Sequence, residues 1–113
     1  DGWVPSSSYV APEELAERHE RIDAGAAAAG RRPDEIRRIY NVFGTITDGE
    51  SRGRLDGPVR QWVDELTSYA LEYGMDTFVF GAAEDDARQI RRFAAEVVPA
   101  VREQVAAHRP AVV

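Results

Sequence analysis

Apolar positions along this chain fall into two alternating rhythms. Behind Pro12, residues Leu15, His19, Ile22, Ala26 and Ala29 recur at helical spacing, and Gly30 with Pro33 marks the stop, predicting a helix over residues 12–29. Behind Asp56-Gly57-Pro58, a second stripe of Val59, Trp62, Val63, Leu66, Ala70 and Tyr73 predicts a helix over 58–73, closed by Gly74. A third stripe, Ile90, Phe93, Ala94, Val97, Val101 and Val105, predicts a helix over 85–108, with Pro99 expected to kink or restart it. Between the stripes lie short runs rich in β-branched and aromatic residues. Ile36 to Phe43 and Met75 to Gly81 are predicted strands, and the opening residues up to Pro5-Ser6-Ser7-Ser8 form the end of another. Residues 44–57 carry four glycines and no periodicity, which predicts a long loop.

Strands alternating with helices through short turns imply an α/β fold with parallel strands and right-handed crossovers. Two full strands and the end of a third cannot close a parallel sheet, although Tyr40, Val42, Phe78 and Phe80 belong to strands of the kind normally covered on both faces. The open side therefore needs a cover, either the remainder of a barrel or a second copy of this chain.

Composition narrows the function classes. The 113 residues fit one domain, and 43 % hydrophobic with 30 % charged residues suits a globular chain; no apolar run is long enough to span a bilayer. A net charge of −6, with acids and arginines interspersed, argues against a nucleic-acid partner. No cysteine is present, so disulfides, thiolate metal sites and cysteine nucleophiles are excluded, and a cytoplasmic location is expected. All 14 basic residues are arginine, which removes Schiff-base chemistry and any P-loop lysine. An opening on Asp1-Gly2-Trp3-Val4-Pro5, without a basic stretch or an apolar signal core, reads as a piece of something longer; a processed N-terminus is the alternative.

An ordered series of segments carries a family resemblance. Asp1-Gly2-Trp3-Val4-Pro5, then Ala24 through Gly30-Arg31-Arg32-Pro33-Asp34-Glu35-Ile36, then Leu55-Asp56-Gly57-Pro58 with Gln61-Trp62-Val63 and Leu66, resembles the closing third of luciferase-like monooxygenases. Asp76-Thr77-Phe78-Val79-Phe80-Gly81 and the stretch from Gln89 to Glu103 are similar to that family's last strand and last helix. The resemblance covers nearly the whole chain. It implies a partial (β/α)8 TIM barrel, holding the last two to three βα units with helices on one face. It further implies a flavin- or deazaflavin-dependent oxidoreductase, with FMN or a deazaflavin at the carboxyl mouth of the barrel and a small-molecule substrate beside it. The first five strands would be missing, and this chain alone should be inactive, bind no cofactor and assemble as a homo-oligomer.

Candidate site residues follow from the rule that barrel chemistry gathers on the loops after strands. Trp3 could stack on a flavin and Ser6 could bind phosphate, or both could cap the rim. Asn41 and Phe43 end a strand and would line the pocket or pack the strand end. Arg52 and Arg54 suit an anion, although Asp48, Glu50 and Asp56 dilute the field and a solvated loop is the competing reading. Phe80 and Gly81 end the last strand, where the glycine either admits a ligand or serves the turn. His19, on the buried stripe of the first helix, reads as a core or interface residue without a second metal ligand. The acid pairs Glu13-Glu14 and Asp85-Asp86 sit at helix starts, where the dipole explains them.

Overall fold

A computed structural model describes residues 2–108. In chain order the elements are β1 (Gly2–Trp3), α1 (Leu15–Ala28), β2 (Arg37–Ile46), β3 (Asp56–Gly57), α2 (Val59–Leu71), β4 (Thr77–Ala82), α3 (Asp86–Arg92), a π-helical turn (Phe93–Val97) and α4 (Val98–His108). The protein is an α/β structure whose strand pairings are all parallel: β2 pairs with β1 through Gly2–Arg37 and Trp3–Arg38, with β3 through Thr45–Asp56 and Ile46–Gly57, and with β4 from Ile39–Thr77 to Gly44–Ala82.

The central strand β2 serves two neighbours on one side. The N–H of Asn41 donates to Pro5, and those of Thr45 and Thr47 donate to Leu55 and Gly57, so odd-numbered backbone groups face β1 and β3. Even-numbered groups face β4, as the bonds from Asp76 to the Arg38 carbonyl and from Ala83 to the Gly44 carbonyl show. Among the described residues β4 has no second partner, which leaves its far edge free.

Side chains alternate across this sheet. Tyr40, Val42 and Ile46 point to the helix side and are buried with Leu15, Leu55, Trp62, Val63, Leu66, Tyr69, Met75, Val97 and Val101. Aromatic rings fill the space between sheet and helices: Phe80 stacks on Phe93 with centroids 4.4 Å apart, and Trp62 meets Phe80 edge-on at 5.3 Å. On the opposite face, Phe43 is 49 % and Val79 50 % exposed. Helices therefore cover one face only.

Local chemistry sets the boundaries, and several differ from expectation. The first helix starts with a 3-10 turn, Pro12–Glu14, in which the Glu14 carboxylate accepts the Ala11 N–H at 2.9 Å. Its end is a left-handed Gly30 at φ 74°, with the Arg31 N–H reaching back to the Ala26 carbonyl at 2.8 Å. Strand β2 begins at Arg37, and it runs to Ile46 where a loop from residue 44 was expected, because β3 arrives to pair with its last two residues. The Leu55 carbonyl approaches so closely that a Cβ on Gly44 would lie 1.8 Å from it. The restart expected at Pro99 is present: a new α segment begins at Val98, with Pro99 in its first turn. The register shift falls before it, in the π turn, where the Val98 N–H bonds to the Phe93 carbonyl.

Candidate functional site

Four of the residues singled out from the sequence come together at the carboxyl end of the open face. Ser6 bridges Asn41 in parallel pairing, Asn41 lies opposite Val79, and Phe43 lies opposite Gly81. The arrangement is a small shelf: a hydroxyl and a carboxamide in one row, an aromatic ring and a glycine in the next. The Phe43 ring rests over Gly81 so closely that a Cβ there would sit 2.3 Å from ring carbon Cε1. Glycine is required for that approach. The Phe43 N–H donates to the Ser7 hydroxyl at 3.2 Å, and the Ser7 N–H donates to the Asn41 carbonyl at 2.8 Å, fastening the β1–α1 turn to the strand end. Among the described residues none hydrogen-bonds the Asn41 carboxamide, which leaves its donor and acceptor available.

The other four sit elsewhere. Trp3 turns to the helix side, where its ring meets that of His19 edge-on at 5.5 Å. Phe80, one residue from Gly81, faces the core against Trp62 and Phe93, because neighbours along a strand point to opposite faces. Arg52 and Arg54 stay on the β2–α2 connection, and both are occupied by acids: Arg52 pairs with Asp56 at 2.9 Å, and Arg54 approaches Glu13 at 3.6 Å. These pairs are exposed and contribute little stability, yet they use the charge that an anion would need.

Sequence reasoning missed two residues that shape this end of the sheet. Ile46 lies beyond the last β4 pairing, so its N–H and C=O face a side without a strand. The buried Gln89 carboxamide replaces that strand, accepting from the Ile46 N–H at 2.7 Å and donating to its carbonyl at 2.9 Å. Leu55 holds φ 55°, and its N–H donates to the Glu65 carboxylate at 2.9 Å. Neither carries a local signal, because each depends on a partner far along the chain.

Three perturbed titrating groups, Tyr40, Tyr69 and His19, lie on the helix side. Burial raises the Tyr40 hydroxyl to about 12 and pushes Tyr69 up further, and burial lowers His19. The described residues contain no cluster of three His, Cys, Asp or Glu side chains able to hold a metal ion, and no helix long and apolar enough to cross a membrane. The shelf thus offers stacking and neutral hydrogen bonding. It contains no paired nucleophile and base. No protein-family model matches the chain, and neither the curated proteins nor the solved structures provide a match.

Proposed function

We propose that this chain is the carboxyl-terminal portion of a luciferase-like, flavin- or deazaflavin-dependent oxidoreductase, contributing part of a cofactor-facing barrel rim and inactive alone. The observation that carries the reading is the one-sided sheet: β1, β2 and β4 lie side by side in the sheet in the order in which they occur along the chain, with the short β3 between β2 and β4 in sequence, all parallel, with helices on one face and the opposite face open. Singly wound neighbours of this kind are the repeating unit of a (β/α)8 barrel, whose uncovered face is the barrel interior, whereas a doubly wound sheet places helices on both faces.

The residues present fit a planar ring system. Phe43 gives an apolar surface, Gly81 removes a side chain beside it, and Asn41 supplies one donor and one acceptor for a ring edge. A flavin or deazaflavin would supply hydride or oxygen chemistry there, and this chain's residues would hold and orient it. Ser6, adjacent to Asn41, would donate to the cofactor's polar substituents.

The test is to express the gene product with whatever coding sequence lies upstream of Asp1, roughly 140 or more further residues being needed to reach a barrel of about 250, and titrate it with FMN and with a deazaflavin. Saturable binding that weakens about tenfold on Asn41→Ala is expected, this being about 1.4 kcal/mol, the scale of one buried hydrogen bond. Failure of that product to bind either cofactor would overturn the reading.

A second reading is favoured by the free edge of β4. Beside it runs an apolar groove of about 600 Å³ that includes Phe78, Phe93, Val101 and Val105. In this reading the chain is a non-catalytic module that self-associates through its sheet; an initiator codon just before Asp1, together with a dimeric mass at micromolar concentration, would distinguish it.

A further inference from the structure

The base of the sheet, opposite the shelf, holds a buried cation whose partners come from several elements. Arg38 is only 9 % exposed. Its Nε donates to the Ile36 carbonyl at 3.1 Å, one terminal nitrogen donates to the Pro33 carbonyl at 3.0 Å and the Asp23 carboxylate at 2.7 Å, and the other lies 2.8 Å from His19 Nδ1. A guanidinium can only donate, so His19 Nδ1 is an acceptor and carries no proton. On the other side of the ring, His19 Nε2 is 2.7 Å from the Tyr73 carbonyl, which can only accept, so Nε2 carries the hydrogen. The two partners together specify the neutral imidazole and its tautomer.

Little else holds α1. Of its 14 residues only Leu15 and Ala26 are buried. His19 and Asp23 are the α1 side chains that reach Arg38 on β2, and His19 also ties α1 to the end of α2 through Tyr73.

We propose that His19 is an acid-sensitive latch, which fastens α1 to the base of β2 while its ring is neutral and releases it when Nδ1 takes a proton. A proton on Nδ1 would point at the Arg38 N–H only 2.8 Å away, replacing a hydrogen bond by two opposed cations. Every packed element contributes to the balance. Arg38 on β2 opposes protonation, while Asp23 on α1 and Asp76 before β4 favour it; the Tyr73 carbonyl after α2 also favours the charged ring. Trp3 on β1 adds an aromatic edge, and Gly74 stands so close that a Cβ there would be 3.5 Å from Nε2. Burial is the largest influence, and with Arg38 it holds the ring below its ordinary value of 6.5.

The sign follows. The latched form binds fewer protons than the released form, so the latch is fully effective above about pH 6.5 and weakens as pH falls below it. Asp23 gives the released state somewhere to go, since it lies one helical turn from His19 and can pair with the new imidazolium inside α1. That exchange strips Arg38 of two of its four partner residues, leaving Ile36 and Pro33 carbonyls and entering water. The core around Trp62 is untouched.

The test uses the whole chain with isotope-labelled histidine, carrying His108→Gln so that His19 is the single reporter. Imidazole resonances and amide hydrogen exchange are followed from about pH 7.5 to about pH 5. The expected result is an Nε2–H tautomer at the upper pH, titration below 6.5, and α1 exchange, corrected for its intrinsic pH dependence, that accelerates at least about tenfold while β2 and α2 keep their protection. His19→Gln, whose amide can accept from Arg38 and donate to Tyr73 without titrating, should abolish that acceleration. Titration of His19 at or above its ordinary value, α1 protection equal at both ends of the range, or an unchanged pH response in His19→Gln would each overturn the latch. Should His19→Gln fail to fold, the first two measurements decide the matter.

Discussion

Gly44→Ala should be among the most damaging single-methyl additions to this chain. The new Cβ would lie 1.8 Å from the Leu55 carbonyl oxygen and 2.9 Å from its carbon, well inside contact distance, and both obstacles are backbone. Leu55 cannot retreat freely. It is 1 % exposed, its carbonyl accepts the Thr45 N–H at 3.0 Å, and its N–H is held by Glu65 at 2.9 Å. Relief requires β3 to leave β2, which breaks one or two hydrogen bonds at about 1 kcal/mol each. Withdrawing Leu55 from the core adds about 1.5–3 kcal/mol. The sum, about 3–5 kcal/mol, is a large share of the ~5–15 kcal/mol available to a domain. Urea unfolding followed by tryptophan fluorescence, with Trp62 as the buried reporter, measures it. Gly25→Ala provides the matched control: its Cβ would meet nothing within 4 Å in the middle of α1, so it should stabilise by about 0.5–1 kcal/mol. A Gly44→Ala midpoint equal to wild type would refute the account of how β3 docks.

Three further outcomes are expected. Gln89→Leu keeps the side-chain volume but leaves the Ile46 N–H and C=O without partners, so stability should fall by about 2–4 kcal/mol, with faster exchange of the Ile46 amide as the local readout. Gly81→Val should drive the Phe43 ring off the shelf while the core-sensitive Trp62 fluorescence stays native, and, if the proposed function holds, it should abolish flavin or deazaflavin binding by a gene product that extends upstream of Asp1. Above pH 10 the folded chain should retain phenolic protons that an unfolded chain loses, because Tyr40 is raised to about 12 by burial and Tyr69 is raised too. Stability should therefore decline with alkalinity from about pH 10 onward, and tyrosinate absorbance from those two residues should rise together with unfolding.

What could be read from the sequence depended on whether the signal was local. Helical stripes at Leu15–Ala26, Trp62–Ala70 and Val97–Val101 lie in sequence and found their helices. The extension of β2 to Ile46 was illegible, because it exists only when Leu55 and Asp56 return to Gly44 and Thr45. Facing was the second gap. Both strands are apolar at consecutive positions, so nothing in Phe78-Val79-Phe80-Gly81 said which parity meets the helices; the structure sends Phe80 inward and Gly81 outward, dividing two residues that the sequence had placed in one site. Arg38 falls in the same gap: it shares the parity of Tyr40 and Val42, and only the structure shows that this parity meets the helices and buries the guanidinium.

The division between faces also constrains what can cover the open one. Burying the exposed halves of Phe43 and Val79 is worth about 1 kcal/mol apiece, too little to order a partner against the entropy it loses. A cover that also adds a strand to the free edge of β4 gains a ladder of backbone hydrogen bonds and fills the groove by Phe78 and Phe93 with its own helix. A parallel βα unit joined by the usual right-handed crossover would do both at once. On the proposed reading, sheet extension along β4, rather than stacking on the shelf, would cover the free edge and leave Asn41 and Phe43 on the uncovered face.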